Sequence, residues 1–359
     1  MSDISQAIFL FNPQAVDKLN KKQPTIQDVA AKAEVSTATV SRVLTAPESV
    51  SNAKRHAVQQ AIHSTGYRVN RSARNLRTQR SNTVLALLPD LGNPFFSQVL
   101  QGIESVLTPA GQALLVAETN QIQETGDSLV NYLEDKRADG VIVLDGELPS
   151  QVLDSLANAE DERRLVFACE WIDNSNFPSV RSSNHEGAAI AVKHLHALGH
   201  EHIAHITGPK NNVLTAERLD GFLTTCKKLG IQHTVFAGAF TLEAGAAAAK
   251  ELLSLKTKPS ALFCASDTIA FGLISALTKH GLSIPEDISV MGYDDIDLCK
   301  YFVPPISSIR QDRVALGTQA AKLLLHCIEN GPQPNKVERL PVSLVERESC
   351  APQLSRTNS

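Results

Sequence analysis

The chain has 359 residues, 43% hydrophobic and 20% charged, with a formal net charge of −4. That length exceeds one simple core and that balance supports apolar burial, so two or three folded domains are expected and disordered or collagen-like chains are excluded. No apolar run nears the roughly 18 residues that cross a bilayer, and the six scattered cysteines have no metal or redox spacing; a cytoplasmic location with reduced thiols, no membrane partner, no metal and no cofactor is expected.

Charge is distributed unevenly along the chain. Residues 24 to 80 carry nine Lys or Arg against three Asp or Glu, a net of +6, residues 1 to 23 add +1, and residues 81 to 359 hold −11. A small basic module therefore precedes a large acidic body, which points to a polyanion partner at one end. Residues 1 to 23 show no periodicity after AIFLF, carry Pro13 and are followed by Pro24, and read as a flexible tail.

The basic module over residues 24 to 67 reads as three short helices. Thr25 and Asp28 have the spacing of a capping box, and Ile26, Val29, Ala30 and Ala33 form one apolar face. Glu34 and Val35 make a tight connection. Ser36 then caps a second helix, which turns Val40, Val43 and Leu44 inward and leaves Thr37, Ala38, Ser41 and Arg42 outward. A third helix, from about Asn52 to Ser64, buries Ala53, Ala57, Val58, Ala61 and Ile62 and stops at Gly66. A short helix, a tight turn and a second helix opening on small polar residues is the helix-turn-helix arrangement, whose second helix enters the DNA major groove.

Residues 68 to 81 follow as RVNRSARNLRTQRS, with arginine at every third position from Arg68 to Arg80. On a helix, Arg71, Arg74 and Arg77 would share a roughly 120° arc with Ala73 and Leu76 on another side. Such a short isolated helix is marginal in water, so the segment is expected to order on DNA.

From Asn82 the chain alternates apolar β-branched runs with helical patterns: TVLALLPD, QALLVAET, DGVIVLDG, RLVFACEW, HIAHITGP, TVFAGAF, ALFCASD and ISVMGYDD. Continuous apolar strands separated by helices imply parallel sheets covered on both faces, an α/β body. The rhythm breaks at NFPSVRSSN, near Asn176 to Arg181, which divides the body into two lobes. The expected bounds are about 82 to 180 with 311 to 336 for the first lobe and 181 to 310 with 337 to 349 for the second, leaving 350 to 359 as a loose tail. Ligands of open parallel sheets bind at the carboxyl ends of the strands, here the cleft between lobes. There is no G-x-G-x-x-G or G-x-x-x-x-G-K-[ST] loop, no G-x-S-x-G elbow and no paired carboxylates, so nothing supports an enzyme and no catalytic residue is assigned. His194, His196, His200, His202 and His205 cluster in HLHALGHEHIAH, but Gly199 ends the helix between them and strand alternation parts the rest, so they read as packing residues.

The segments TIQDVAAKAEVSTATVSRVL and VSNAKRHAVQQAIHSTGYRVNRSARNL resemble the DNA-binding headpiece of the LacI family of transcriptional regulators. The body resembles that family's periplasmic-binding-protein-like regulatory domain through NPFFSQVLQGIE, ALGHEHIAHITGP, ERLDGFLTTCKKLGI, SDTIAFGLISALTKHGLSIPEDISVMGYDD and PPISSIRQD. STATVSR, DLGNPFFSQVLQGIE, FTLEAG and GYDDIDL place it nearest the cytidine repressor branch, and the likeness spans residues 24 to 349. The resemblance implies that Thr37, Ala38 and Arg42 read bases, that Ser36, Thr39, Ser51, Asn52 and Lys54 touch phosphates or cap helices, and that residues 68 to 81 form a hinge helix in the minor groove. In that hinge Leu76 would be the wedge, with Arg71, Ala73, Arg74 and Arg77 around it. It also implies effector contacts at Phe95, Phe96, Trp171, Asn212, Leu214, Arg218, Phe240, Ser266 and Asp294. Ser183 stands where the family pattern V-x-x-D-N has its aspartate, which removes a charge near the cleft or the crossing between lobes. The implied protein is a repressor of catabolic or uptake genes that binds a palindromic operator in double-stranded DNA as a homodimer, under control of a sugar- or nucleoside-like effector. A sugar or nucleoside receptor with no DNA role is the competing reading, and it leaves the basic module idle.

Overall fold

The computed structural model describes residues 24–67, 80–119, 132–133, 135–148, 164–173 and 175–353. The tail at 1 to 23 and the hinge positions Arg71, Ala73, Arg74, Leu76 and Arg77 lie outside the described residues. The chain divides into two units, residues 1 to 79 and 80 to 359.

The first unit contains α1 (Ile26–Lys32), α2 (Thr37–Thr45), a 3₁₀ turn at Pro47–Ser49 and α3 (Asn52–Thr65). The capping box closes in both directions: the Thr25 hydroxyl accepts from the Asp28 amide at 3.3 Å, and the Thr25 amide donates to Asp28 Oδ2 at 2.7 Å. Glu34, at φ 52, turns the chain between α1 and α2, and Gly66, at φ 69, ends α3. The core is Val29, Ala30, Ala33, Val40, Val43, Val58 and Ala61. Ala53, expected inside, is exposed, and Ala57 and Ile62 are half-buried rather than buried. Arg55 donates to the carbonyls of Pro47 at 2.7 Å and Val50 at 3.4 Å and pairs with Glu48 at 3.3 Å, so it ties the 3₁₀ turn to α3.

In the second unit, β1 (Thr83–Leu88), β2 (Ala113–Glu118), β3 (Gly140–Val143), β4 (Leu165–Ala168), β5 (Ser179–Ser182) and β11 (Val337–Leu340) form an all-parallel sheet in the order β11-β5-β4-β3-β1-β2. The second sheet runs β12-β10-β9-β8-β6-β7, from β6 (His202–Ile206), β7 (Gln232–Phe236), β8 (Ala261–Cys264), β9 (Ser289–Asp294), β10 (Ser307–Gln311) and β12 (Val342–Val345), with only β12 antiparallel to its neighbour. The first lobe carries α4 (Phe95–Leu107) and α9 (Arg313–Asn330). The second carries α5 (Asn184–Ala197), α6 (Val213–Leu229), α7 (Leu242–Ser254) and α8 (Asp267–Lys279).

Three departures from the expected layout matter for the site. NFPSVRSSN is not a break in the strand rhythm, because Ser179–Ser182 inside it pairs with β4 and β11. Residues 337 to 340 belong to the first lobe rather than the second: Val337 to Leu340 match Ser179 to Ser182 in register, which moves the last crossing to Pro341. The tail is not loose at its start, since the Ala351 carbonyl contacts His200 at 3.1 Å and the Gln353 amide donates to Leu198 at 2.8 Å. The chain thus passes between lobes after β5, after β10 and between β11 and β12.

Glycines let paired helices touch in both lobes. A Cβ at Gly317 would collide with the Val99 carbonyl oxygen, and one at Gly102 with that of Val314, so α9 and α4 pack backbone to backbone. Gly245 and Gly272 do the same for α7 and α8. Asp139 holds the entry to the body, accepting from the Ser81 amide at 2.6 Å and the Asn82 amide at 2.9 Å. Gly317→Ala is expected to force α4 and α9 apart and cost about 1–3 kcal/mol. Scanning calorimetry should register a melting midpoint several degrees lower, and an unchanged midpoint would contradict the close approach.

Candidate DNA-reading face and ligand cleft

Ser36 caps α2 by accepting from the Thr39 amide at 3.1 Å, and its hydroxyl lies 2.9 Å from that of Thr39. This locks the first turn and sets Thr37, Ala38 and Arg42 exposed on one side, while Val40 and Val43 are buried on the other. Arg42 has no side-chain hydrogen bond or ion pair among the described residues, so its guanidinium is uncommitted. Ser51 occupies the N-cap of α3 yet makes no capping bond, which leaves the first-turn amides beside exposed Asn52 and Lys54 open to an anion. The basic charge of this unit is thus divided: Arg55 is spent inside on Glu48, and Arg42 and Lys54 remain outside.

In the body, the cleft between the lobes is lined by Asn93, Phe95, Phe96, Cys169 and Glu170 of the first lobe and Leu214, Arg218, Phe240, Ser266 and Asp294 of the second. These residues come from the ends of strands or from the loops and first helical turns that follow them, where side chains and backbone amides converge in open parallel sheets. Phe95 and Phe96 start α4 edge to face, ring centroids 5.2 Å apart. Ser266 lines the cleft and caps α8 by accepting from the Ile269 amide at 3.3 Å.

Of the nine residues expected to line this cleft, seven meet there. Trp171 and Asn212 stand behind it. The Trp171 indole donates to Asp173 at 2.9 Å, and the Arg181 guanidinium lies 4.2 Å over its ring. Asn212 caps α6 through Oδ1 and donates from Nδ2 to Glu170 Oε2 at 2.9 Å, joining the lobes. Ser183, at the family's aspartate position, makes no capping bond; its amide donates to the Leu340 carbonyl at 3.0 Å, at a crossing between lobes. Sequence reasoning passed over Asn93, Cys169 and Glu170, although the loop after β1 that holds Asn93 and the places of Cys169 and Glu170 immediately after β4 were the available signal.

Arg218 is 2% exposed. Its Nε donates to Asn184 Oδ1 at 2.9 Å, one terminal nitrogen donates to the Ala265 carbonyl, the other lies 3.7 Å from Asp294, and the plane rests 3.8 Å over the Tyr293 ring. Most of its donors are therefore committed to the protein. Burial raises the Asp294 carboxyl above its usual range, against the Arg218 guanidinium and a 2.7 Å bond from Gln311, and Asp267 behind it is raised for the same reason. Burial likewise pushes Glu170 up to about 7, despite hydrogen bonds from the Gly146 amide and Asn212; the charges of Asp145 and Glu147 push the same way. Both donors reach Oε2, so Oε1 has no hydrogen bond among the described residues.

The histidines serve separate neighbours. His205 is sandwiched between Phe222 and Phe263, and burial lowers its pKa to about 4; His200 bonds to Ser260 and Ser289, and His202 to Thr234. Among the described residues no three His, Cys, Asp or Glu gather as a metal-binding group.

The raised Glu170 has a measurable consequence. At acid pH both folded and unfolded chains hold its proton. As pH rises from the ordinary value near 4.5 toward 7, the unfolded chain releases the proton first, so the carboxyl's contribution to stability falls across that window and levels off above it. Glu170→Gln removes this dependence. The melting midpoint of the Gln variant minus that of the parent should increase from about pH 5 to about pH 8; a flat difference would show that Glu170 titrates normally.

Residues 25–70 match the family model for bacterial regulatory proteins of the lacI family, and residues 192–350 match a periplasmic binding protein-like domain. The HTH-type transcriptional repressor CytR of Escherichia coli (strain K12) is 36% identical over 314 residues, 86% of this chain and 91% of that protein. The lac repressor dimer bound to operator and the anti-inducer ONPF has a TM-score of 0.79 at 29% identity, covering 92% of this chain and all of that one. A LacI family transcriptional regulator from Enterococcus faecium with bound ribose has a TM-score of 0.68 at 30% identity over 76% of this chain and 100% of its own. The chain belongs to the LacI family, as a DNA-binding transcriptional repressor with a periplasmic-binding-protein-like effector domain.

Proposed function

We propose that the protein represses catabolic or uptake genes in the cytoplasm by binding a palindromic operator as a homodimer, and that a small sugar- or nucleoside-like effector in the interlobe cleft controls it. The carrying observation is the exposed Thr37, Ala38 and Arg42 face on a capped helix whose opposite side is buried. A helix of this kind in the major groove lets Arg42 donate two hydrogen bonds to guanine O6 and N7, while Ala38 offers a methyl contact. Thr37 adds a hydroxyl. Ser51, Asn52 and Lys54 with the open amides of α3 supply phosphate contacts that set register without reading sequence. Two copies are needed because one small headpiece covers only a half-site, and a two-fold pair matches a palindrome.

The cleft supports the effector assignment. Phe95, Phe96 and Phe240 offer faces for a ring, and the Asp294 carboxylate and Glu170 Oε1 are hydrogen-bond acceptors, a set suited to a donor-rich polyol or nucleoside rather than an anion. Leu214 and Ser266 complete the wall, with Arg218 holding Asp294 in place. The regulator with bound ribose shares this body fold. Leu76 and the arginines around it are assigned to the minor groove by the family resemblance.

On DNA from upstream of its own gene, the full chain should shift one fragment in preference to random duplex, and Arg42→Ala should cut that preference by about 10- to 100-fold, as loss of a bidentate guanine contact implies. Selectivity that survived Arg42→Ala would remove the base-reading role. A thermal-shift series with nucleosides and pentoses should raise the melting midpoint of the parent and leave Asp294→Ala unmoved; an equal rise in both would place the ligand elsewhere.

A further inference from the structure

Beside the ligand cleft, the two lobes also meet across a second, polar gap. Gln98 and Arg313 come to it from the first lobe, and Asp297, Lys300 and Arg310 from the second. Asp297 opens the 3₁₀ turn Asp297–Lys300, three residues beyond Asp294 of the cleft. Gln98 lies one helical turn beyond Phe95 on α4, and Arg313 begins α9.

Gln98 Nε2 donates to the Asp297 carboxylate at 3.2 and 3.4 Å. Arg313 Nη2 lies 3.9 Å from Asp297 Oδ1 and donates to the Asp295 carbonyl at 3.1 Å. One carboxylate of the second lobe is therefore held by two side chains of the first. Those two side chains move together, because the glycine contacts lock α4 to α9.

The burial is unequal. The Asp297 side chain is 66% exposed, whereas that of Arg313 is 5% exposed. The exposure of Asp297 keeps the ion pair modest, and the buried hydrogen bond from Arg313 to the Asp295 carbonyl adds to it. Parting the lobes at this edge would strip Arg313 of Asp297 and of the Asp295 carbonyl at once. The resulting penalty opposes opening whether or not a ligand fills the cleft.

We infer that Asp297, gripped by Gln98 and Arg313, is an exterior clasp that biases the lobes toward the closed arrangement independently of the effector. The clasp regulates the response: the tighter it is, the less of the effector's binding energy goes into closing the lobes and the smaller the change an effector can cause. The clasp acts on lobe closure, apart from the identity of the ligand and from DNA binding.

Hydrogen exchange on the unliganded full chain tests it. Asp297→Ala should speed amide exchange roughly three- to tenfold both in its own turn and across the gap in the first turns of α4. Gln98→Ala should do the same in both places, and the double variant should be no faster than Asp297→Ala alone, as expected when two residues serve one contact. Lys300→Ala, whose ammonium lies 4.0 Å from Asp297 within the same lobe, should leave α4 unchanged. Exchange that rises only in the substituted residue's own lobe, or effects of the two substitutions that multiply, would overturn the clasp. Should Asp297→Ala fail to fold, Gln98→Ala alone decides, through exchange in the Asp297–Lys300 turn on the opposite lobe.

Discussion

A guanidinium almost removed from water, Arg218, is the constraint around which the effector domain is organised. A buried cation is tolerated only when its hydrogen bonds are made and its charge is answered. Here the answer is assembled from four places: the Asn184 amide oxygen, the Ala265 carbonyl, the Tyr293 ring and the Asp294 carboxylate. Asn184 begins α5, Ala265 follows β8, and Tyr293 and Asp294 end β9, so the charge brings the carboxyl ends of the second sheet to one point. Asp294 sits at φ 107, a conformation rare for a side-chain-bearing residue, held at the place where its carboxylate meets both Arg218 and Gln311. The mouth of the cleft follows from this arrangement.

The first lobe answers with a carboxyl of its own. Glu170 is buried between the Gly146 amide and Asn212, and Asn212 belongs to the second lobe. Three chain crossings join the lobes, and polar side chains also reach from one lobe to the other. Asn212 meets Glu170 from behind the cleft, and Gln98 meets Asp297 outside it. A ligand that fills the cleft must work against or with both, which links recognition to lobe orientation through named atoms rather than through distance alone.

The basic unit follows a different logic. Its core of small aliphatic side chains is thin, and local devices compensate: a closed capping box at Thr25, a cap at Ser36, and Arg55 bracing the 3₁₀ turn. Net charge alone overstates what this unit can present to DNA, since Arg55 is internal to it. Of the exposed cations, Lys54 stands in the first turn of α3, where the helix amides add to its field, and Arg42 stands in the last turn of α2.

The sequence by itself determined the three short helices of the basic unit, eight of the strands, the two-lobed parallel body, and the position of the cleft. These are written in local period, capping spacing and strand-end position, which act over a few residues and need no partner. Only the tertiary structure decided the remaining strands. Ser179–Ser182, Ser307–Gln311, Val337–Leu340 and Val342–Val345 are short and partly polar, and become strands through the neighbours they pair with at sheet edges and crossings. The same holds for the commitments of the polar groups. That Arg55 is spent on Glu48, that Asn212 and Trp171 stand behind the cleft while Glu170 lines it, and that Asp297 reaches Gln98 across 199 residues of chain are set by which side chains long-range packing brings together, and no local pattern encodes that.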